Sequence, residues 1–264
     1  MKLLIVLIML LAQSAFAYSP RAHRLIVLAS ATEYNFCLDT LNSSKPRLIK
    51  SQVKKIALYN KFEDINPVVR LKHWHFFSPN KDLGPVASLK NRYLNVEAKI
   101  GQKDIYKILG SLSHYIQDVT NPAHVAPVYH GLGDGLDFYD YKNAWPSFIS
   151  KEDCVQIAAR VAMRKSASSF PLIVRISNET LDKMQEKVMV LSSTHQGFYS
   201  WEEAFWSTKF GPTSKQAGFG EYGFLGNDFG KAGSAIDEET TVRFAKDRIR
   251  AALNGTVELY MMNL

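Results

Sequence analysis

Apolar positions recur at helical spacing over much of the chain. The clearest run is Gln102 to Gln117, where Ile105, Ile108, Leu109, Leu112 and Ile116 fall on one stripe. Ser19 to Phe36 also reads as a helix, with Pro20 near its start and Leu25, Ile26, Leu28 and Ala29 as apolar surface. Arg47–Asn60, Lys151–Ser168, Asn178–Leu191 and Thr240–Met262 follow the same rule, whereas few stretches alternate as a strand does. The expected class is therefore all-α, in one domain, since neither an internal repeat nor an interdomain linker interrupts the pattern. Between Phe210 and Gly233, seven glycines interleave with Phe219, Tyr222, Phe224 and Phe229. A loop or short hairpin is expected there, its aromatics either exposed or packed on the helices.

The polar residues of the clearest helix carry more information than its stripe. In "HYIQDVTNPAH", residues 114–124, His114 and Asp118 stand at i and i+4 and share a face away from the apolar positions. Asn121-Pro122 ends the helix, and His124 follows at the turn. Gly110 and Ser111 lie near this polar side, so a second element could approach it closely. A face of this kind is either solvated or turned toward a ligand.

The first seventeen residues pair one lysine with an apolar run and end in Ala15-Phe16-Ala17, the pattern of a cleaved secretory signal. The run is short of the roughly 20 residues a spanning helix needs. The expected organisation is a signal peptide over 1–17 and a mature domain over 18–264, secreted or periplasmic, with no transmembrane segment. Cys37 and Cys154 are the only cysteines, and after export they form either one disulfide or two buried thiols. Without Lys2, 31 basic residues stand against 25 acidic ones. That balance favours anionic partners such as phospholipid surfaces or nucleic acid.

Six of the seven histidines lie between residues 23 and 130, with acidic residues at ligand-like intervals. In order come Tyr18 as a new amino terminus, His23, "FED" at 62–64, "HWHF" at 73–76, His114, Asp118, His124 and "HGLGD" at 130–134. These exceed the donors one zinc ion takes, and would suit two or three ions. The spacing His-x3-Asp-x5-His resembles the central motif of the bacterial zinc-dependent phospholipases C and the related fungal single-strand nucleases. Tyr18 with His23, Asp64 and His75 in their contexts, and His130 with Asp134 are similar to further elements of that family, in the same order, over about Tyr18 to Asp140.

The resemblance implies a multi-helix bundle around three zinc ions. One ion would be held by Asp64, His75, His114 and Asp118, and a second by His124, His130 and Asp134. The third would take the amino and carbonyl groups of Tyr18 with His23, sharing Asp118 as a bridge. The family usually begins its mature chain with Trp, but the ligands at that position are backbone atoms. Asp137 or Asp140 could replace Asp134, and His73 competes with His75, which is preferred because Phe76 follows it. The implied activity is that of a secreted zinc phospholipase C, hydrolysing a glycerophospholipid such as phosphatidylcholine to diacylglycerol and a phosphorylated head group through zinc-bound hydroxide, with Asp64 orienting or deprotonating the nucleophile. The expected state is a monomer. A zinc-dependent nuclease or nucleotidase is the alternative, and only there would nucleic acid be a partner. A non-catalytic secreted metal-binding protein is the alternative of another class. Glu202 and Glu203, beside Trp201 and Phe205, would either contact a choline head group or form a solvated helix face.

Overall fold

The computed structural model describes residues 19–65, 75–79, 89–126, 128, 135–136, 139, 144–207, 221–231 and 235–264. The expectations for residues 1–18, His73, His130, Asp134, Asp137, Asp140 and Phe219 lie outside these residues. The described chain is mostly helical, with two antiparallel two-stranded sheets. No helix among the described residues is long and apolar enough to cross a membrane.

Helix α1 (Pro20–Thr40) starts as its sequence directs: Ser19 caps it by accepting from the Ala22 amide at 3.2 Å, and Pro20 occupies the first turn, where no amide is needed. Helix α2 (Lys50–Ile65) runs five residues past the expected end at Asn60. That extension carries Glu63 and Asp64 as one more turn of the same buried face, with Ile56, Ala57 and Asn60. Helix α3 (Leu89–Glu97) was not anticipated, because Leu89, Tyr93 and Val96 alone give too short a pattern.

Helix α4 (Ile105–Asp118), capped by Asp104, is the centre of the molecule and touches α1, α2, α3 and two later helices. Its apolar stripe is buried as expected, with Leu109, Leu112 and Ile116 inaccessible to solvent. Each contributes roughly 1.5–3 kcal/mol by leaving water. The opposite face is not solvated, because every residue from Ile108 to Asp118 is buried. A fully buried polar face is costly unless its groups are satisfied by partners or ions, so this burial itself points to a site.

Gly110 is what lets α2 pack there. A Cβ at this position would lie 2.5 Å from the Ile56 carbonyl oxygen and 2.7 Å from the Tyr59 Cβ. Gly110→Ala is expected to destabilise the protein by about 1–3 kcal/mol, as read by denaturant unfolding, because the obstruction is backbone that cannot rotate away.

After α4, Asn121 caps a four-residue helix, α5 (Pro122–Val125), so His124 sits in a helical turn rather than at an open bend. Helix α6 (Lys151–Met163) starts with a capping box between Ser150 and Asp153 and ends before the serine-rich 166–169 stretch. Helix α6 thus stops five residues short of the expected Ser168, and helix α7 (Phe170–Met184), with Pro171 in its first turn, begins eight residues before the start of the expected Asn178–Leu191 helix. Residues expected to close the latter form strand β1 (Lys187–Leu191), whose burial alternates so that Val188 points inward and Met189 outward. It pairs with β2 (Gln196–Ser200). Short helix α8 (Trp201–Ala204), strands β3 (Trp206–Ser207) and β4 (Glu221–Tyr222), and the long helix α9 (Glu238–Asn263) complete the chain.

Helix α9 packs on α1, α4, α6 and α7. Trp201, Phe205, Trp206, Phe229 and Phe244 form one aromatic cluster within the core. Trp201 and Phe205 therefore do not frame an aromatic cage, and Glu203 instead caps α8 through Ser200 and pairs with Lys187 at 2.9 Å. Of the glycine-rich segment's aromatics, Phe229 packs in this cluster, while Phe224 remains 36% exposed and stacks on His195. Cys37 of α1 and Cys154 of α6 are disulfide-bonded across 117 residues of sequence, which is compatible with an oxidising compartment.

Candidate metal centre

The inward faces of α1, α2 and α4 bring His23, Asp64, His114 and Asp118 together, and the segment at residues 75–79 adds His75. All five are buried, four of them with 1% exposure or less and His75 with 4%. The i, i+4 spacing of His114 and Asp118 does what it predicts: His114 Nε2 lies 3.4 Å from Asp118 Oδ2. His75 Nδ1 approaches the same oxygen at 2.9 Å and His114 Nε2 at 2.9 Å, while Asp64 Oδ1 stands 3.6 Å from His114 Nε2 and 4.0 Å from His75 Nδ1.

The other carboxylate oxygens face His23. Its Nε2 lies 3.5 Å from Asp118 Oδ1 and 3.9 Å from Asp64 Oδ2. Asp118 thus presents one oxygen to each of two histidine groups, the disposition of a bridging ligand. Ligands on a tetrahedral ion with bonds of about 2.0–2.1 Å lie about 3.4 Å from one another. Most of the separations here are closer to that spacing than to the length of a hydrogen bond. His23, His114 and Asp118 form one group able to hold a metal ion, and Asp64, His75 and His114 form another.

Charge points the same way. Burial, with the neighbouring Glu63 charge, pushes the Asp118 carboxyl well above its usual range, so its ionisation inside the protein needs a cation beside it. Burial brings His23 down to about 3, against a raising hydrogen bond to Gln117, so its imidazole is neutral at physiological pH, the form that donates a lone pair to a metal.

Sequence reasoning missed the residues that hold these ligands in place. His23 Nδ1 donates to Gln117 Oε1 at 2.6 Å, which leaves Nε2 as the nitrogen directed at the carboxylates. Asn60 Nδ2 donates to the same oxygen at 3.2 Å and to Ser113 Oγ at 3.1 Å. Behind Asp64 and His114, their sequence neighbours Glu63 and Tyr115 meet Arg92: Glu63 accepts from Arg92 Nη2 at 2.8 Å and from the Tyr115 hydroxyl. Burial alone would raise the Glu63 carboxyl, but the hydrogen bonds and charge of Arg92 override it and hold the group below its usual range. A signal for these residues was available in the spacing: Asn60, Glu63 and Asp64 continue the 56, 57 register of α2, where polar residues on a core face need a reason.

His124 is buried, stacked on Phe76, and donates from Nδ1 to the His75 carbonyl oxygen at 2.6 Å. It is tied to the cluster through the His75 backbone and belongs to neither metal-competent group. Its expected companions His130 and Asp134, like Tyr18, lie outside the described residues. Gln117→Leu is expected to weaken metal binding about 10–100-fold, as measured by competition with a chromogenic chelator, since outer partners of ligating histidines contribute on that scale. No protein-family model, curated protein or solved structure matches this chain.

Proposed function

We propose that the protein is a zinc-dependent phosphodiester hydrolase of phospholipase C type, acting on glycerophospholipids. The observation that supports this reading best is the buried set of three imidazoles and two carboxylates, whose two metal-competent groups share His114 and in which Asp118 turns Oδ1 to His23 and Oδ2 to His75 and His114. The His-x3-Asp-x5-His spacing and the order of the remaining candidates add the family resemblance. Neutral imidazole and carboxylate are the donors zinc takes, so the residues fit the ion.

Bound there, zinc supplies Lewis acidity toward phosphoryl oxygens and ionised water at neutral pH. His75, His114, Asp64 and Asp118 would hold one ion, and His23 with the second oxygen of Asp118 another; His124 would serve a third. Gln117 fixes the His23 tautomer, so that its Nε2 is presented without rearrangement. Asp64 lies against both groups through separate oxygens, which suits it to accept a hydrogen bond from the attacking water and align it with phosphorus. No side-chain nucleophile is required.

The test is release of phosphocholine from phosphatidylcholine by the protein processed at Tyr18, with and without a zinc chelator. Release that the chelator stops and added zinc restores is the expected result. Absence of release from zinc-loaded protein that cleaves single-stranded DNA would replace the phospholipase reading with the nuclease one.

A further inference from the structure

Helix α2 carries a second surface that the metal centre does not use. Its inner side supplies Asn60, Glu63 and Asp64. On its outer side Leu58, Phe62 and Ile65 are 60%, 40% and 50% exposed, beside the exposed Lys50, Lys54 and Lys61. At about 100° per residue these six positions fall within roughly a third of the helix circumference, the lysines along one edge and the apolar side chains along the other.

The charge continues onto α1. A groove of about 700 Å³ between α1 and α2 is lined by Arg24, Arg47, Lys50 and Lys54, with Asp39 as its one acidic residue. Asp39 pairs with Arg47. Among the described residues no carboxylate pairs with Arg24, Lys50, Lys54 or Lys61. The groove's wall includes Phe148, itself 52% exposed.

We infer that the outer face of α2, with the groove it shares with α1, is the surface by which the protein docks on an anionic lipid bilayer. Unpaired cations flanking an apolar stripe match anionic head groups above the acyl boundary. Single-stranded nucleic acid fits less well: Phe62 and Phe148 offer rings on which a base could stack, but a polynucleotide would leave the aliphatic Leu58 and Ile65 uncovered, whereas an acyl boundary covers all of them. The exposure and charge of this surface are independent of the chemistry at the metal centre. The metal centre lies on the other, buried side of the same helix.

The experiment is co-sedimentation of the full chain with phosphatidylcholine vesicles, with and without phosphatidylserine, for the untreated and the chelator-treated protein. Two variants accompany it, Lys50→Glu/Lys54→Glu and Leu58→Ser/Phe62→Ser, all at exposed positions and checked for unchanged circular dichroism. Wild type is expected to prefer the phosphatidylserine vesicles, in either metal state, and each variant to bind them at least about 10-fold more weakly. Hydrolysis of a soluble phosphodiester should be the same in the variants as in wild type, which separates docking from the reaction. Wild-type binding by both variants, equal binding to both vesicle types, or retention on single-stranded DNA but not on vesicles would overturn the inference. Vesicle binding without any hydrolysis would leave the surface standing and remove the proposed function.

Discussion

Asp118→Asn is expected to lose bound metal and to lower phosphodiester turnover by more than about 100-fold, beyond what loss of an outer partner of a ligating histidine costs. The amide keeps the shape of the carboxylate and removes its charge. Asp118 faces histidines on two sides, with Oδ2 toward His75 and His114 and Oδ1 toward His23, so one substitution disturbs the surroundings of all three imidazoles. Metal content by elemental analysis and turnover of a soluble phosphodiester are the paired measurements. Because burial disfavours the ionised carboxylate, the metal-free variant should be at least as stable as metal-free wild type at neutral pH. Full metal content with wild-type turnover would refute the role given to Asp118.

Arg92→Ala should have the largest effect on stability, about 3–5 kcal/mol, because it leaves the Glu63 carboxylate buried without its cation. Glu63 is 1% exposed, and its place in α2 gives it no route to solvent. The double variant Arg92→Met/Glu63→Gln should recover much of the loss, since it removes the buried charge with its partner. The sign with pH follows from Glu63 titrating below its usual value in the folded protein. Its stabilising contribution is present above about pH 4.5 and fades as pH falls through the lowered value, so Arg92→Ala should matter less in acid. A loss below about 1 kcal/mol at pH 7 would show that the pair behaves as a solvent-screened surface bridge.

Much of the architecture follows from local rules. The α4 stripe, the caps at Ser19, Asp104 and Asn121, and the proline starts of α1 and α7 are each written in a few adjacent residues. Where expectations failed, the deciding contacts were distant in sequence or the pattern was ambiguous. The helix expected over Asn178–Leu191 ends at Met184 because Lys187–Leu191 finds a partner in Gln196–Ser200, and strand pairing has no counterpart within either segment alone. Glu202 and Glu203 stand near two aromatic rings in sequence, but those rings turn inward to Phe229 and Phe244.

The sequence by itself determined the helical class, the i, i+4 placement of His114 and Asp118, the small residue at Gly110 that admits α2, and the set of histidines and aspartates from which a site could be drawn. Only the tertiary structure decided that the polar face of α4 is buried rather than solvated. The same packing gathers His23, Asp64 and His75 onto that face from three other parts of the chain, points Asp118 both ways, and sets Gln117, Glu63, Tyr115 and Arg92 behind the ligands. The reason is physical: periodicity reports which residues share a face, whereas the identity of what covers that face depends on close packing between elements that no local window contains.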